Sequence, residues 1–461
     1  MGGLFRGDQS RLHPDSRLPW RISPEPFWLT SEQHDVLLRL GDALLAFFRS
    51  CNVLYHQSVK GIQPEFIARY LDAGKPERVI DLGRLNRVKS HLPLVMRPDL
   101  ILTADGVRAV ELDSIPGGIG FTGQISRIYS EIGYDVVGGG DGLLRGFHDA
   151  LTTSLPEMET PTICIVVSDE ADNYREEMEW LASALQAEGH PVYCRHPREL
   201  SVDDGGILIR IDGQPRRVNI VYRFFEMFDL ANIPKIELVA YHAKKNAVRV
   251  SPPMKAYLEE KMWLALFHHP QLQEYWDREL DRDSRALLQA VLPQSWVVDS
   301  TPAPPYTVIP DLQISGRPVN DWEQLRHLSK REREFVLKPS GFSEDAQQSR
   351  GVTVGHDVPE EEWAGALDES LQSFVRRPAV LQAFYKGTRL PGRYYDFVDD
   401  EIKQMHGRVL LRPYYFVVGN EVRLSGIQCI LCPADKKILH GMTDAILVPA
   451  AVREPEASAF R

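Results

Sequence analysis

The sequence predicts a mixed α/β chain that combines a parallel, helix-covered sheet with antiparallel ribbons over two or three domains. Three observations carry that prediction. Residues 162–195 run apolar strand, amphipathic helix, second strand, the β-α-β order of a parallel sheet. Residues 96–113 hold two apolar, β-branched-rich runs around Ala104-Asp105-Gly106, a hairpin signal. From residue 407 onward, strand-like runs are separated by turn signals at Gly419-Asn420 and Pro433-Ala434-Asp435. A length of 461 residues exceeds what one hydrophobic core serves, hence more than one domain.

Composition excludes several classes. A net charge of −11 and a pI near 5.7 argue against a nucleic-acid or membrane-surface binder. No run approaches the ~20 apolar residues of a membrane span, and the N-terminus lacks the apolar centre of a signal peptide. Five cysteines, an odd number, fit a reducing cytoplasm better than a disulfide scaffold. Cys429 and Cys432 form a lone CxxC inside an apolar run, which reads as a buried strand and not a zinc site.

Residues 1–26 read as a surface arm. Thr30 with Gln33 is a capping box, and the following 24 residues have the broad apolar face of a core helix. A second helix ends at Gly74. The hairpin comes next. With a three-residue loop, Thr103 pairs with Val107, which sets Asp99 opposite Glu111 and Arg97 opposite Asp113. Alternation along a strand puts those four charges on one face and Leu100, Leu102, Val110 and Leu112 on the other. A two-residue loop would break that match. Like charges opposed across strands cost stability, and a hard dication such as Mg²⁺, shared with phosphates, would remove the cost.

Gly117, Gly118 and Gly120 follow in a loop that leads into a short helix, a place where backbone N–H groups favour an anion. Residues 138–160 form a boundary. In the β-α-β block, Ser168, Asp169 and Glu170 sit at a strand's C-terminal end, where open α/β sheets bind ligands. Arg223 and Glu226 end a later strand and are candidates for recognising a substrate carboxylate or amine. Lys261 lies mid-helix in a Pro-started amphipathic run beside Trp263 and Leu264. Residues 300–330, Pro-rich and then polar, read as a long connection or an inserted subdomain. Lys338 ends the strand FVLK and precedes a loop bearing Ser340, Gly341, Ser343, Ser349 and Gly351, which suits phosphate, although the Walker spacing is absent. The strand AVLQAFYKG can act as a hinge whose backbone reads adenine. Arg412, inside an alternating strand, needs an anionic partner.

Taken in order, these pieces resemble the circularly permuted ATP-grasp ligases of the glutathionylspermidine synthetase type. That family carries an R-x-D strand, then an E-x-N strand with a nearby Pro. This chain has Arg97-Pro98-Asp99, then Glu111-Leu112-Asp113, with Pro116 after. The resemblance implies a permuted ATP-grasp fold with a Rossmann-like substrate domain. Its segments are an N-terminal helical segment at 1–90, metal-binding strands at 91–150, the Rossmann-like domain at 160–250 and the ATP-grasp lobes at 251–461. It implies Asp99, Glu111 and Asp113 as ligands of two Mg²⁺, and Arg97 as a stabiliser of transition-state charge. Lys261 and Lys338 become the ATP lysines, with Ser340 and Gly341 in the phosphate loop. Gln382, Phe384 and Tyr385 become the hinge, and Arg412 a phosphate ligand. Ser168, Arg223 and Glu226 fall to the substrate.

The implied activity is ATP-dependent joining of a small or peptide carboxylate to an amine through an acylphosphate, in the cytoplasm, with a homodimer left open. A catalytically silent nucleotide- or partner-binding protein and a phosphotransferase are the alternatives. The chain departs from the pattern at Asp113, where the family has Asn, and in the long interval from Lys261 to Lys338. No amidase segment precedes the ligase part, so conjugate hydrolysis is not expected.

Overall fold

Thr30 starts a helix as its capping box predicts. In the computed structural model, which describes residues 20–301, 308–346, 351–435 and 444–453, Gln33 N donates to Thr30 Oγ1 at 3.1 Å and Thr30 N to Gln33 Oε1 at 3.0 Å. This helix is α1 (Ser31–Val59), preceded by the short strand β1 (Phe27–Leu29). The chain divides into two units. Among the described residues, unit 1 falls within 20–45, 85–254 and 387–453, and unit 2 within 46–84 and 255–386. This division departs from the contiguous segments expected from sequence, because strand pairing draws residues 387–452 back to the hairpin.

Unit 1 opens with that hairpin, β2 (Val95–Thr103) and β3 (Gly106–Asp113), followed by α2 (Ile119–Glu131) and α3 (Gly142–Thr152). The β-α-β block gives β4 (Ile163–Val167), α4 (Arg175–Ala187) and β5 (Val192–Arg195). A small ribbon that sequence reading missed, β6 (Ser201–Asp203), β7 (Gly206–Ile211) and β8 (Gln214–Arg217), precedes β9 (Ile220–Phe224) and β10 (Arg249–Ser251). Strands β10, β9, β4 and β5 form one sheet in that order, every pairing parallel. Every residue of β4 and β9 is buried, as expected where helices cover both faces. Ile163, Ile165, Val167, Tyr222 and Phe224 share a core with Met178, Leu181 and Leu185 of α4 and Phe147 of α3.

Unit 2 begins its second segment with α5 (Met262–His268) and continues through β11 (Ser295–Val297), β12 (Gln313–Ile314) and β13 (Arg317–Pro318). It closes with β14 (Phe335–Pro339), β15 (Thr353–Val354), α6 (Glu360–Ser373) and β16 (Ala379–Ala383). The main sheet here runs β11-β16-β14-β15. Leu312, Val319, Leu325 and Leu328 pack with Leu337, Leu381 and Trp363 in its core. The described part of 300–330 is therefore neither a connection nor a separate subdomain. It closes one face of the sheet.

Unit 1 resumes with β17 (Arg389–Asp396), β18 (Glu401–Val418), β19 (Glu421–Pro433) and β20 (Ile446–Val452). They complete a seven-stranded sheet, β1-β20-β19-β18-β2-β3, with β17 also on β18. Leu410 and Leu411 pair with Ile101 and Leu100, so the C-terminal strands carry the hairpin. Cys429 and Cys432 are buried within β19, as expected. No described helix is long and apolar enough to cross a membrane.

Two local expectations fail for identifiable reasons. The hairpin turn has two residues, not three, because Thr103 pairs with Gly106. The Thr103 hydroxyl donates to Gly106 O at 2.8 Å and accepts from Asp105 N at 3.3 Å, which ties the tip tight. Asp99 nevertheless faces Glu111 and Arg97 faces Asp113, since a β-bulge between Asp99 and Leu100 restores the register. Val110 is the extra residue, so Ala109, not Val110, fills the buried face beside Leu100. The second failure is Lys261. It sits at the N-cap of the seven-residue α5 and not mid-helix, because the segment before it winds as a 3-10 turn, Ala256–Glu259.

Candidate functional site

The bulge and the β2–β18 pairing assemble a charged cluster in unit 1. Asp99, 4 % exposed, lies between two guanidinium groups. Arg97 Nε donates to Asp99 Oδ1 at 3.0 Å. Arg412, opposite Gln428 on β18, donates from Nη2 to Asp99 Oδ2 at 3.0 Å and from Nε to the same atom at 3.1 Å. Arg97 also reaches Asp113 Oδ2 at 3.1 Å and Gly117 O at 3.0 Å. Burial raises the Asp113 carboxyl above its ordinary range; Arg97 opposes the shift, and Glu111 and Asp99 add to it. The anionic partner expected for Arg412 is thus Asp99.

The same arrangement tests the hairpin as a magnesium site. Both Asp99 oxygens are engaged by arginine, and Asp113 Oδ1 accepts from Ile115 N at 2.8 Å. Among the described residues no three acidic, histidine or cysteine side chains converge as a metal cage. In this arrangement Asp99 and Asp113 are engaged by arginine and a backbone N–H.

The Gly-rich loop leads into α2 as expected, and its helix N-terminus does hold an anion: Glu177 of α4. Gly118 N donates to Glu177 Oε1 at 2.6 Å and Phe121 N to Oε2 at 3.2 Å. Glu177 is 1 % exposed, and burial pushes its carboxyl up to about 7 despite both N–H donors and Arg97. Gly118 sits at φ 89, and a Cβ there would lie 2.6 Å from Tyr414 Oη. Tyr414 donates that hydroxyl to Gly117 O at 2.8 Å. Sequence reading missed both residues. Glu177 had a signal, since it occupies the 177, 181, 185 stripe that α4 buries.

The candidate substrate residues lie at the C-terminal ends of the neighbouring strands β4 and β9. Ser168 is buried at the C-terminal end of β4, its hydroxyl accepting from Ala171 N at 3.4 Å. Glu226 caps a 3-10 turn after β9 and is half-buried. Arg223 is fully buried and serves the fold: Nε, Nη1 and Nη2 donate to Pro252 O, Phe225 O and Pro253 O at 2.9–3.1 Å. Two of these bonds tie Arg223 to the turn at residues 252–253.

Unit 2 brings Lys338 and Gln382 onto one sheet face. Val336 pairs with Gln382 and Lys338 with Val380, so all four share the face opposite the Leu337–Leu381 core. Lys338 is 8 % exposed and Gln382 2 %. The Gln382 Nε2 amide is buried without a hydrogen-bond partner. A buried orphan donor costs about 1–3 kcal/mol, so its persistence beside a buried lysine suggests a ligand acceptor. Of the other hinge residues, Phe384 N donates to Glu334 O at 2.9 Å and its ring meets His356 edge-on at 4.4 Å. Tyr385 Oη accepts from Gln294 N at 3.4 Å. Lys261 Nζ donates to Ala346 O at 3.0 Å. The Ser340 hydroxyl and Gly341 N, expected at phosphate, both donate to Glu260. Ser349 lies outside the described residues.

No protein-family model and no curated protein matches the chain. Among solved structures, it resembles a glutathione synthetase-like effector from Globodera pallida, determined in apo form. The identity is 12 %, over 94 % of this chain and 90 % of that one, with a TM-score of 0.52. A provisionally assigned gamma-glutamylcysteine synthetase from Methylobacillus flagellatus overlaps at 13 % identity, over 83 % of this chain and 86 % of that one. Its TM-score of 0.38 is too low to define a shared fold. The mixed α/β fold is therefore similar to that of the effector structure.

Proposed function

We propose that this chain is an ATP-dependent carboxylate–amine ligase, related to the permuted ATP-grasp ligases of the glutathionylspermidine synthetase type. One observation carries the nucleotide half of the reading: the orphaned Gln382 amide beside Lys338 on one buried sheet face. The likeness to a glutathione synthetase-like structure and the R-x-D/E-x-D hairpin support the ligase half.

In this account Gln382 and the Phe384–Tyr385 segment read the base, and Lys338 and Lys261 neutralise phosphate charge. ATP would enter as its magnesium complex, the cation supplying neutralisation of phosphate charge. A substrate carboxylate oxygen attacks the γ-phosphorus, the bond to the β,γ-bridging oxygen breaks, and ADP leaves. The amine then attacks the acylphosphate carbonyl, loses a proton, and expels phosphate to leave an amide. Within unit 1, Asp99 holds Arg97 and Arg412 as an oriented cationic pair suited to an anionic group. Ser168 and Glu226 are assigned to the acid or amine substrate.

The test is a screen of amino acids, peptides and polyamines for acceptor-dependent ADP release with Mg²⁺, with mass spectrometry of the product. An amide supports the ligase; a phosphate ester would make the chain a phosphotransferase. A second reading, a nucleotide binder without turnover, draws on the arginine clamp over Asp99, and ADP-binding protein inert to every acceptor would favour it.

A further inference from the structure

Glu260 joins the 3-10 turn Ala256–Glu259 to α5, and three donors converge on its carboxylate. They are the Lys75 ammonium, the Ser340 hydroxyl and, at 3.2 Å, the Gly341 backbone N–H. The group is shut away from water: the Lys75 and Glu260 side chains are 1 % and 0 % exposed. Lys75 also stands 5.5 Å from the Phe342 ring centroid.

The residues on either side of Glu260 grip the same loop. A Cβ on Gly341 would fall 2.1 Å from Glu259 O, so only glycine permits that approach. Lys261 holds the far end at Ala346 O. Three consecutive residues thus clasp 340–346, the segment that leaves β14 just after Lys338.

An ammonium, a hydroxyl and a backbone N–H aimed at one point, directly after a lysine-bearing strand, is the donor set that binds phosphoryl oxygen. We propose that Lys75, Ser340 and Gly341 form a phosphoryl-binding cradle, which Glu260 fills as an internal surrogate until a polyphosphate displaces it. This rests on the nucleotide-binding reading above. The exchange keeps Lys75 paired with an anion throughout, avoiding an uncompensated buried charge. It also sets a threshold: a ligand must carry more negative charge than one carboxylate to win the cradle, which selects phosphoryl groups over carboxylates. Displacing Glu260 releases the clasp at the 340–341 end of the loop.

Calorimetric titration of the full chain with pyrophosphate, and separately with Mg-ADP, tests this in wild type, Glu260→Gln, Glu260→Asp and Lys75→Met. Glu260→Asp retains the charge beside Lys75 but is one methylene short of the cradle, so it serves if Glu260→Gln fails to fold. Losing the charge-assisted competitor should tighten pyrophosphate binding about ten-fold in Glu260→Gln, and weakening it should give a smaller gain in Glu260→Asp. Lys75→Met should weaken pyrophosphate binding by a factor similar to the Glu260→Gln gain. Unchanged or weaker pyrophosphate affinity in the folded Glu260 variants overturns the proposal and makes Glu260 a fixed strut. Glu260 variants that gain pyrophosphate affinity, in a chain that never binds ADP, uphold the cradle and remove only the nucleotide reading.

Discussion

Glu177 makes the stability of unit 1 depend on pH in a direction opposite to most carboxylates. Its folded value of about 7 stands above the ordinary 4.5, because burial outweighs the two N–H donors. A raised carboxyl favours the protonated fold, so its contribution is fully present below the unfolded value and lost as pH climbs through the folded one. The gap of about 2.5 units corresponds to roughly 3 kcal/mol at about 1.36 kcal/mol per unit. Glu177→Gln removes the titration, while its amide oxygen can still accept from Gly118 N. Urea unfolding of both proteins from pH 5 to pH 8 isolates the effect, since other groups cancel in the difference. The variant should gain on wild type by roughly 2–3 kcal/mol across that range. A difference constant with pH would refute the assignment of a buried, strained carboxylate at the α2 N-terminus.

Two further outcomes follow from the geometry. Asp99→Asn leaves Arg412 and one side of Arg97 without a carboxylate and should cost about 3 kcal/mol in denaturant unfolding; a loss of only a few tenths would show that the clamp is not structural. Gln382→Met replaces an orphaned amide with an apolar chain of similar volume. It should leave the protein as stable or about 1 kcal/mol more stable in a thermal melt while abolishing nucleotide binding by calorimetry; undiminished affinity would remove Gln382 from the base site.

The hairpin shows how a sequence reading can reach the right contacts by a wrong route. Alternation and opposite charges located Arg97 against Asp113 correctly, because those rules are local to the ladder. The turn length was misread, since the tip is decided by the Thr103 side chain, and a bulge at Val110 absorbed the difference. The parallel β4–β5 unit, the capping box and the buried CxxC were legible for the same local reason. Arg412 was seen to need an anion, but its partner Asp99 lies 313 residues away and emerges only from β2–β18 pairing. Glu260 and Lys75 gave no signal at all, because neither breaks a local pattern and their encounter spans 185 residues. The donors at Ser340, Gly341 and Gly118 were recognised; that the chain supplies its own carboxylates to them was not.

The most direct measurement follows oxygen. Substrate acids labelled with ¹⁸O in the carboxylate are incubated with the chain, Mg-ATP and an amine pool, and the released phosphate is analysed by mass. Activation through an acylphosphate predicts one ¹⁸O atom transferred to phosphate, with ADP as the nucleotide product. Unlabelled phosphate, or AMP in place of ADP, would contradict the ligase account.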